Sequence, residues 1–497
     1  MKIVEVDELI IGAGLAGLTF GNTSISDDYS VAIAEMHFKA GGYATNFRRI
    51  KNTVAFDCSQ HKITGLGENG NLRNALQRAG LWDKLQFRYF DELTTVCIKG
   101  QKIDLPADSA GIKATLLRYF PSQKEGIEKL FEDIQTHGYQ NYMFARMLLG
   151  EYEINRYLLT DGRKLSNITT REYFNRLFND PIIIEVMSSI AIYLGAVAHE
   201  ANAFYFLHYL YAAFETKAGY VEGTSQVLAD TLANAFKERG GQIFYRNPIL
   251  SIDVKGDRIM AVNAQKCTFL THKIVATCSP HILMKMLPQD CIPDSFQESL
   301  DNLKIGWGHI SVYLILDQAP ELLGLDKSEY LLVNHLGDNL NEKQLNDDTR
   351  YQQFTLSVTN YHLLDAQSGF AVQLTILDHK GQWFDLDKDA YLIEKKRIEN
   401  LLIERALNTF PDMEGHIVFK ETSTPRTNFR YTNSPEGSAF GYKVLPRENT
   451  RFLYNPPIQG LKFVGGWSTG PGYETSMCLG FTHAMLEKRK RVEELVV

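Results

Sequence analysis

Residues 8–17 read ELIIGAGLAG, and this stretch determines which kind of domain the chain must build. The short apolar run at 8–11 is typical of a buried strand, and three glycines follow it at i, i+2 and i+5. Gly12 permits a tight turn, Gly14 lets a ligand approach the backbone, and Gly17 lets the next helix pack close to the strand. Free N–H groups and the dipole at the start of that helix favour a phosphate. The stretch therefore predicts a nucleotide-binding strand–turn–helix unit.

The second strand supports this interpretation. Residues 29–34 read YSVAIA, and Glu35 closes the strand. A carboxylate there can accept hydrogen bonds from the ribose hydroxyls of a dinucleotide, and it would repel a 2′-phosphate. The contacts predicted from this unit are Gly12, Gly14, Leu15, Ala16, Gly17, Glu35 and Met36.

The same α/β pattern returns late in the chain, which predicts a discontinuous domain. Residues 70–215 read as mainly helical, and an amphipathic helix is predicted over 224–239. Alternating segments at 305–316 and 370–377 predict a second sheet, and a terminal helix is predicted over 480–494. We expect an α/β protein with a Rossmann-type domain and a second α+β domain whose first insertion is mainly helical. The predicted bounds are 1–90, 215–290 and 420–497 for the first domain, and 91–214 and 291–419 for the second.

Composition narrows the class of protein. The 497 residues are 44% hydrophobic and 22% charged, which is typical of a globular enzyme and not of a disordered chain. The net charge of −7 disfavours a nucleic-acid binder. None of the six cysteines has CxxC or zinc-ligand spacing, so we predict no metal site and reduced thiols in a cytoplasmic protein. The most apolar stretch, 182–198, is short for a membrane span and is interpreted as a buried helix or a cavity wall.

A glycine loop after Glu35 indicates an extended cofactor. Residues 41–49 read GGYATNFRR, residues 56–65 read FDCSQHKITG, and residues 463–472 read FVGGWSTGPG. These stretches resemble the motifs GG-x-x-S/T-F-x-R, F-D-x-G-x-H-x-I-G and G-x-x-T-x-P-G. They occur in the FAD-dependent phytoene desaturase, carotenoid isomerase and retinol saturase group, within the amine-oxidase-like flavoprotein superfamily.

The resemblance implies FAD as the cofactor and adds contacts to those of the first unit. In this group the backbone of a strand after a GG pair holds the adenine, and Ile249 matches that position. The further contacts that the resemblance implies are Gly41, Gly42, Tyr43, Ala44, Thr45, Ile63, Ile249, Gly466, Trp467, Thr475, Ser476 and Met477.

Four residues are candidates for a catalytic role. A flavin accepts or delivers hydride itself, so the protein need not supply a nucleophile or a metal. His61 could exchange a proton or orient the ring, with a purely structural histidine as the alternative. Lys62 could stabilise the reduced flavin at its N1–C2=O edge, or it could turn to solvent. Tyr473 and Glu474 either line the same cavity or make loop contacts only.

Three functions compete at this stage. The first is an FAD-dependent oxidoreductase or isomerase that acts on carbon–carbon bonds of a lipophilic polyene such as a carotenoid, retinoid or polyketide. The second is an FAD-dependent amine or amino-acid oxidase, and the third is a non-catalytic binder like the Rab GDP-dissociation inhibitors.

The expected partner is a lipophilic small molecule and not a nucleic acid. The aromatic segment 204–214 reads as core or as the wall of an apolar tunnel. The basic run 488–491 reads as a solvated helix end or a site for lipid headgroups. Membrane contact and the oligomeric state stay open.

Overall fold

The structure is a computed structural model that describes residues 2–50, 53–59, 62–153, 155–334, 349–378 and 381–496. The strands are β1 (Lys2–Glu5), β2 (Glu8–Ile11), β3 (Val31–Ala34), β4 (Asn46–Arg49), β5 (Val54–Asp57), β6 (Phe87–Tyr89), β7 (Glu92–Ile98), β8 (Gln101–Pro106), β9 (Gly219–Val221), β10 (Gln242–Phe244), β11 (Ile249–Lys255), β12 (Arg258–Ala264), β13 (Cys267–Leu270), β14 (Ile274–Ala276), β15 (Gly308–Leu316), β16 (Glu329–Val333), β17 (Leu356–Asn360), β18 (Ala371–Asp378), β19 (Ile417–Ser423) and β20 (Leu461–Phe463).

The α-helices are concentrated between β8 and β9, and the others lie between or after the remaining strands. They are α1 (Leu15–Ser24), α2 (Asn71–Arg78), α3 (Ser109–Tyr119), α4 (Lys124–Asp133), α5 (Tyr139–Tyr142), α6 (Phe144–Leu148), α7 (Arg156–Arg163), α8 (Thr170–Leu177), α9 (Pro181–Ser189), α10 (Ala203–Glu215), α11 (Ser225–Glu238), α12 (Pro280–Met284), α13 (Asp294–Asn302), α14 (Thr349–Gln353), α15 (Tyr361–Leu364), α16 (Lys388–Leu407), α17 (Pro425–Thr432) and α18 (Tyr473–Val496).

A five-stranded parallel sheet carries the glycine turn. Its order is β10-β3-β2-β14-β20, and each neighbouring pair is parallel. Three of its strands are fully buried, as expected of a parallel sheet with helices on both faces. The strands come from the beginning, middle and end of the chain, so the predicted discontinuous Rossmann-type architecture is confirmed.

The second large sheet is mixed and has seven strands, in the order β19-β15-β18-β17-β16-β7-β8. Its strands include the predicted alternating segments, which confirms the second α+β unit. The prediction of mainly helical structure from residue 70 missed the hairpin β7–β8. The sequence there carries a β-branched run at 94–96 and a turn in which Lys99 and Gly100 both have positive φ. The predicted domain boundary at 419/420 falls inside β19 and stays a prediction.

The first and last helices of the chain pack backbone against backbone. A side-chain carbon at Gly480, in α18, would lie 2.4 Å from the carbonyl oxygen of Ala16 in α1. Only glycine allows so close an approach. The terminal helix also begins at Tyr473 instead of the predicted residue 480, because the helix starts immediately after the Pro471-Gly472 pair.

The basic run at the end of α18 holds the helix to the rest of the protein. Arg489 donates to the carbonyl of Leu149 at 2.6 Å, and Arg491 donates to the carbonyl of Ser24 at 3.1 Å. The Arg491 guanidinium also lies 3.6 Å from the ring centroid of Tyr29. Two of its four cations are therefore bound within the protein, which the sequence interpretation did not foresee.

The apolar stretch 182–198 is part of the main apolar core, where Ile183, Val186 and Ile190 are fully buried. None of the helices that the structure describes combines the length and the apolarity that a membrane crossing requires.

The contact between α1 and α18 makes a testable prediction. Gly480→Val should lower the free energy of unfolding by about 1–3 kcal/mol, because the added methyl groups meet backbone atoms that cannot move aside. Chemical denaturation followed by circular dichroism measures the change. Lys490→Ala, on the exposed side of the same helix, should leave stability within about 0.5 kcal/mol of the wild type. Equal stability of Gly480→Val and the wild type would contradict this packing.

Candidate active site

One cavity of about 1310 Å³ connects the two sheets. It exceeds the range of about 300–1,000 Å³ that is usual for a single small-molecule ligand. Its wall includes the glycine turn, the loop after Glu35, the loop before α18, and one face of α10. The predicted contacts that line it are Gly12, Gly14, Leu15, Ala16, Glu35, Met36, Gly41, Gly42, Tyr43, Ala44, Thr45, Ile63, Ile249, Gly466, Trp467, Thr475 and Ser476.

The glycine turn has the geometry that a phosphate needs. Gly14 is the N-cap of α1 and provides no side chain to cap the helix, so N–H groups of the first turn face outward. No atom of the described residues lies within 4 Å of the position that a side-chain carbon of Gly14 would take. Gly17 is different, since its side-chain carbon would lie 2.3 Å from the carbonyl oxygen of Gly12. Gly14 thus borders the cavity, and Gly17 sets the helix against the strand.

Glu35 is buried at the end of β3. Its carboxylate accepts hydrogen bonds from the backbone N–H groups of Ala13 and His37, both at 2.7 Å. Burial raises the pKa of Glu35, although these two N–H groups favour the charged form. The carboxylate therefore fixes the glycine turn while it lines the cavity, and its remaining lone pairs stay available to a ligand.

The loop after Glu35 lies directly against the glycine turn. Gly41 donates its N–H to the carbonyl of Ala13 at 2.8 Å, and both Gly41 and Gly42 have positive φ. The Tyr43 hydroxyl donates to the carbonyl of Ser438 at 2.9 Å, and the carbonyl of Tyr43 accepts from the Tyr473 hydroxyl at 3.2 Å. The loop thus connects the glycine turn to the C-terminal part of the site.

The C-terminal part of the site lies at the start of α18. Trp467 packs edge-on against Tyr442, with ring centroids 5.0 Å apart. Thr475 and Ser476 line the cavity in the first turn of the helix. The Met477 side chain does not line it: it is fully buried in the core of the nucleotide-binding unit, so only its backbone could contact a ligand.

Lys62 lies in the cavity wall, next to β7. Its ammonium donates to the carbonyls of Glu92 and Leu93 at 2.5 and 3.0 Å, and it lies 3.7 Å from the Glu92 carboxylate. Burial lowers the pKa of Lys62, and the nearby carboxylates of Glu329 and Glu92 oppose that shift. β7 therefore holds the ammonium at the edge of the cavity, which Lys62 also lines, and its predicted role beside the cofactor stays a prediction.

Glu474 lies in the cavity wall with both oxygens occupied. It accepts hydrogen bonds from the hydroxyls of Thr64 and Tyr142. Burial raises the pKa of Glu474, because no cation compensates it among the groups that shift it. The Tyr473 hydroxyl is likewise occupied by the carbonyl of Tyr43, and burial raises its pKa.

The structure describes Asp57 of the FDCSQHKITG stretch but not His61. His61 lies outside the described residues, so its role stays a prediction. Asp57 accepts hydrogen bonds from the backbone N–H and hydroxyl of Ser225 and from the Tyr220 hydroxyl. It therefore holds the start of α11, and burial raises its pKa to about 6.

The aromatic segment 204–214 serves both roles that the sequence left open. Tyr205, His208, Tyr209 and Ala212 lie at helical spacing on one face of α10 and line the cavity. The remaining face contributes Phe206 and its neighbours to the core. Burial lowers the pKa of His208 to about 4, so this wall carries no charge at neutral pH.

Comparison with known proteins supports the resemblance that the sequence motifs indicate. Residues 10–79 match the model of the NAD(P)-binding Rossmann-like domain. All-trans-retinol 13,14-reductase of Danio rerio is 21% identical, over 93% of this chain and 82% of that protein. Prolycopene isomerase 1 of an Oncidium hybrid is 23% identical, over 93% of this chain and 80% of its own length. The 4,4'-diapophytoene desaturase of Methylomonas is 22% identical, over 93% and 91%.

The predicted resemblance is confirmed. A solved structure of putrescine oxidase bound to putrescine covers 98% of this chain and 100% of its own, with a TM-score of 0.66 at 14% identity. That likeness shows the fold. The match to the Rossmann-like domain indicates a flavin or nucleotide cofactor.

Several residues of the site had no signal in the sequence. Thr64 and Tyr142 meet Glu474 from positions 410 and 332 residues away along the chain. No local spacing reports such contacts. The aromatic and His-containing pattern of 204–214 was the one available signal, and it indicated His208 only as part of a stripe. In the described residues, no group of three His, Cys, Asp or Glu side chains could hold a metal ion.

The same substitution distinguishes the role of Gly14 from that of Gly17. Gly14→Val should fold with the stability of the wild type, because its backbone is extended (φ −73°, ψ 174°) and no described atom opposes the side chain. It should lose more than nine-tenths of its bound cofactor, because the side chain enters the cavity. Gly17→Val should unfold at a lower temperature. Cofactor extraction and thermal denaturation measure both, and normal cofactor content in Gly14→Val would contradict the site.

Proposed function

We propose that this protein is a flavoenzyme that binds FAD in the main cavity and changes carbon–carbon bonds of a lipophilic polyene. The observation that carries the proposal is the continuity of one cavity from Glu35 and the glycine turn to the aromatic face of α10. The first end suits a dinucleotide, and the second suits an apolar chain. The relatives named above are a retinol reductase, a prolycopene isomerase and a diapophytoene desaturase.

Each part of FAD has residues that suit it. Glu35 would bind the adenosine ribose, and the backbone near Ile249 would bind adenine. The N-terminus of α1 would bind the diphosphate, and Gly41-Gly42 would allow the ribityl chain to pass close to the backbone. The ring would lie by Gly466, Trp467 and the first turn of α18.

The residues around the ring would exclude water from the reaction. When bound, the flavin supplies hydride transfer at its N5. Tyr205, Tyr209 and the neutral His208 present aromatic surface to the cavity and exclude water. The first turn of α18 brings the positive end of a helix dipole to the cavity wall, where it would stabilise negative charge. Burial raises the pKa of Glu474, and the two hydroxyls that donate to it oppose that shift.

The amine-oxidase alternative has weaker support. Three carboxylates line the cavity in the described residues: Glu35 at the nucleotide end, where the ribose would take its free lone pairs, and two that are paired within the protein. Glu35 holds the glycine turn, Glu421 pairs with Arg49 at 2.5 Å, and Glu474 binds Thr64 and Tyr142. An ammonium substrate would need a carboxylate that is free to bind it.

A purified sample tests the proposal directly. The protein should show the visible absorption bands of an oxidised flavin, and denaturation should release FAD. After incubation with polyenes, with and without anaerobic reduction, product masses separate the reactions: two hydrogens lost for desaturation, two gained for saturation, none for isomerisation. Peroxide release with amines and no change in any polyene would favour the alternative. A colourless protein that cannot be loaded with FAD would contradict both.

We also propose that the mouth of the cavity rests on an anionic membrane surface, from which a lipophilic substrate would enter. The mouth is defined as the part of the cavity that is lined by Lys388, Lys395 and Arg430. Leu392 and Tyr431, also in the lining, are 51% and 49% exposed. Cations among exposed apolar side chains suit the headgroup region of a bilayer.

Charge reversal at the mouth tests this contact. The double variant Lys388→Glu/Lys395→Glu should bind vesicles of phosphatidylcholine with phosphatidylserine at least about ten-fold more weakly than the wild type. Sedimentation with the vesicles measures binding. Lys99→Glu/Lys255→Glu makes the same change in net charge at exposed residues outside the cavity lining and should bind as the wild type does. Equal loss in both double variants would mean that net charge alone matters and would contradict a docking face.

A further inference from the structure

His208 is a polar group within the aromatic wall of the cavity. It lies on the face of α10 that lines the cavity, three residues after Tyr205 and one residue before Tyr209. Its side chain is partly accessible to a water-sized probe, and the accessible part faces the cavity that the residue lines. A ligand in the cavity can therefore contact the imidazole.

Two tyrosines place His208 beside the proposed site of the flavin ring. The ring of Tyr205 is nearly parallel to the imidazole, with 6° between the planes and 5.9 Å between the centroids. The Tyr205 hydroxyl lies against Gly470, where a side-chain carbon would overlap that oxygen. On the other side, the Tyr142 ring lies 5.5 Å from the imidazole, and its hydroxyl donates to Glu474 in the first turn of α18. His208 thus adjoins the ring site from two directions.

The imidazole of His208 is neutral and keeps one nitrogen free. Burial lowers its pKa to about 4, and a hydrogen bond with the backbone of Asn141 opposes that shift. A backbone group that favours the protonated form is a carbonyl, so one ring N–H donates to it and the other nitrogen carries a lone pair. Neither ring nitrogen is both buried and unpaired in the part of the chain that the structure describes. The second nitrogen is therefore accessible from the cavity.

The other ionisable side chains near the ring site are poorer proton acceptors. Each oxygen of Glu474 already accepts a hydrogen bond from a hydroxyl. The Lys62 ammonium donates to backbone carbonyls, and burial raises the pKa of Tyr473, which keeps its phenol protonated. His208 is therefore the best proton acceptor among the described residues of this part of the wall.

We infer that His208 accepts a proton from the substrate and that the reaction is a desaturation. This inference rests on the proposed function. One carbon of the substrate would lose hydride to N5 of oxidised FAD, and the neighbouring carbon would lose a proton to the free nitrogen of His208. The electron pair of the second C–H bond becomes the new double bond. The substrate loses two electrons in total, and FAD gains them.

The surroundings of His208 favour this direction of the reaction. Loss of hydride beside a conjugated chain leaves positive charge on carbon and makes the neighbouring C–H bond acidic, so a weak base is sufficient. Saturation would instead need a protonated imidazole that delivers a proton. The imidazole lies between the rings of Tyr205 and Tyr142, and no carboxylate of the described residues hydrogen-bonds to it and stabilises its protonated form. The site therefore favours removal of hydrogen over its addition.

A single-turnover experiment tests the inference. FAD-loaded protein is mixed in the absence of oxygen with 4,4'-diapophytoene, phytoene or all-trans-retinol, and the polyene that reacts is used further. The flavin absorbance should bleach while the product loses two hydrogens, which mass spectrometry measures. His208→Phe keeps an aromatic ring against Tyr205 but has no lone pair, so bleaching should be at least about 100-fold slower.

Affinity distinguishes a base from a residue that only shapes the wall. When the flavin is reduced with dithionite beforehand, no oxidant is present and the polyene can be titrated without turnover. Quenching of tryptophan fluorescence measures its binding. His208→Phe should bind the polyene within about three-fold of the wild type, because the aromatic surface stays in place.

His483→Phe is the matched control. His483 also stacks on a tyrosine, with its ring centroid 6.1 Å from that of Tyr454, and burial lowers its pKa to about 4, but it does not line the cavity. This variant should react within about two-fold of the wild-type rate.

His208→Ala provides a second test, which also serves if His208→Phe folds poorly. The substitution opens space in the wall for a free imidazole molecule. Added imidazole should raise the bleaching rate of His208→Ala at least about ten-fold and leave that of His208→Phe unchanged, because phenylalanine fills the space.

Three outcomes would overturn the inference. They are bleaching of His208→Phe at the wild-type rate, a loss of rate that an equal loss of affinity accounts for, and a wild type that only saturates or isomerises the polyenes. The third outcome leaves the proposed function intact. A protein that cannot be loaded with FAD, which its spectrum shows before any polyene is added, contradicts the proposed function and this inference with it. Slow bleaching with normal affinity in His208→Phe, together with rescue of His208→Ala, would support the inference.

Discussion

The backbone contact between the first and last helices is the constraint on which the site depends. At Gly480 the two helices approach within a distance that no side chain would permit, since Ala16 presents its carbonyl there. The contact brings a glycine turn from residues 12–17 and a loop from residues 465–472 to the same cavity, although they are about 450 residues apart. The hydrogen bond from Tyr473 to the carbonyl of Tyr43 fixes the second side of that arrangement.

Several polar side chains of the cavity wall form hydrogen bonds within the protein itself. Glu35 holds two backbone N–H groups, Lys62 holds two carbonyls, and Glu474 holds two hydroxyls. Buried charges that are already paired do not attract a charged substrate strongly. The part of the wall beyond the nucleotide end therefore suits a neutral substrate.

The sequence predicted those features that depend on neighbouring residues. The glycine spacing, Glu35 at the end of a strand and the GG pair at 41–42 are local patterns, and all of them line the cavity or shape the turn. Contacts between distant segments were not predictable in this way. The hydrogen bonds from Lys62 to β7 span 30 and 31 residues, and the hydrogen bond from Thr64 to Glu474 spans 410 residues. The start of α18 was misplaced by seven residues because the Pro471-Gly472 pair leads directly into the helix.

A crystal structure of the protein grown with excess FAD is the most direct test of the central claim. The account predicts continuous density for an extended dinucleotide, with its ribose at Glu35, its diphosphate at the start of α1 and its ring between Gly466 and Thr475. Density elsewhere, or a cavity that stays closed to the dinucleotide in fully loaded crystals, would contradict the account.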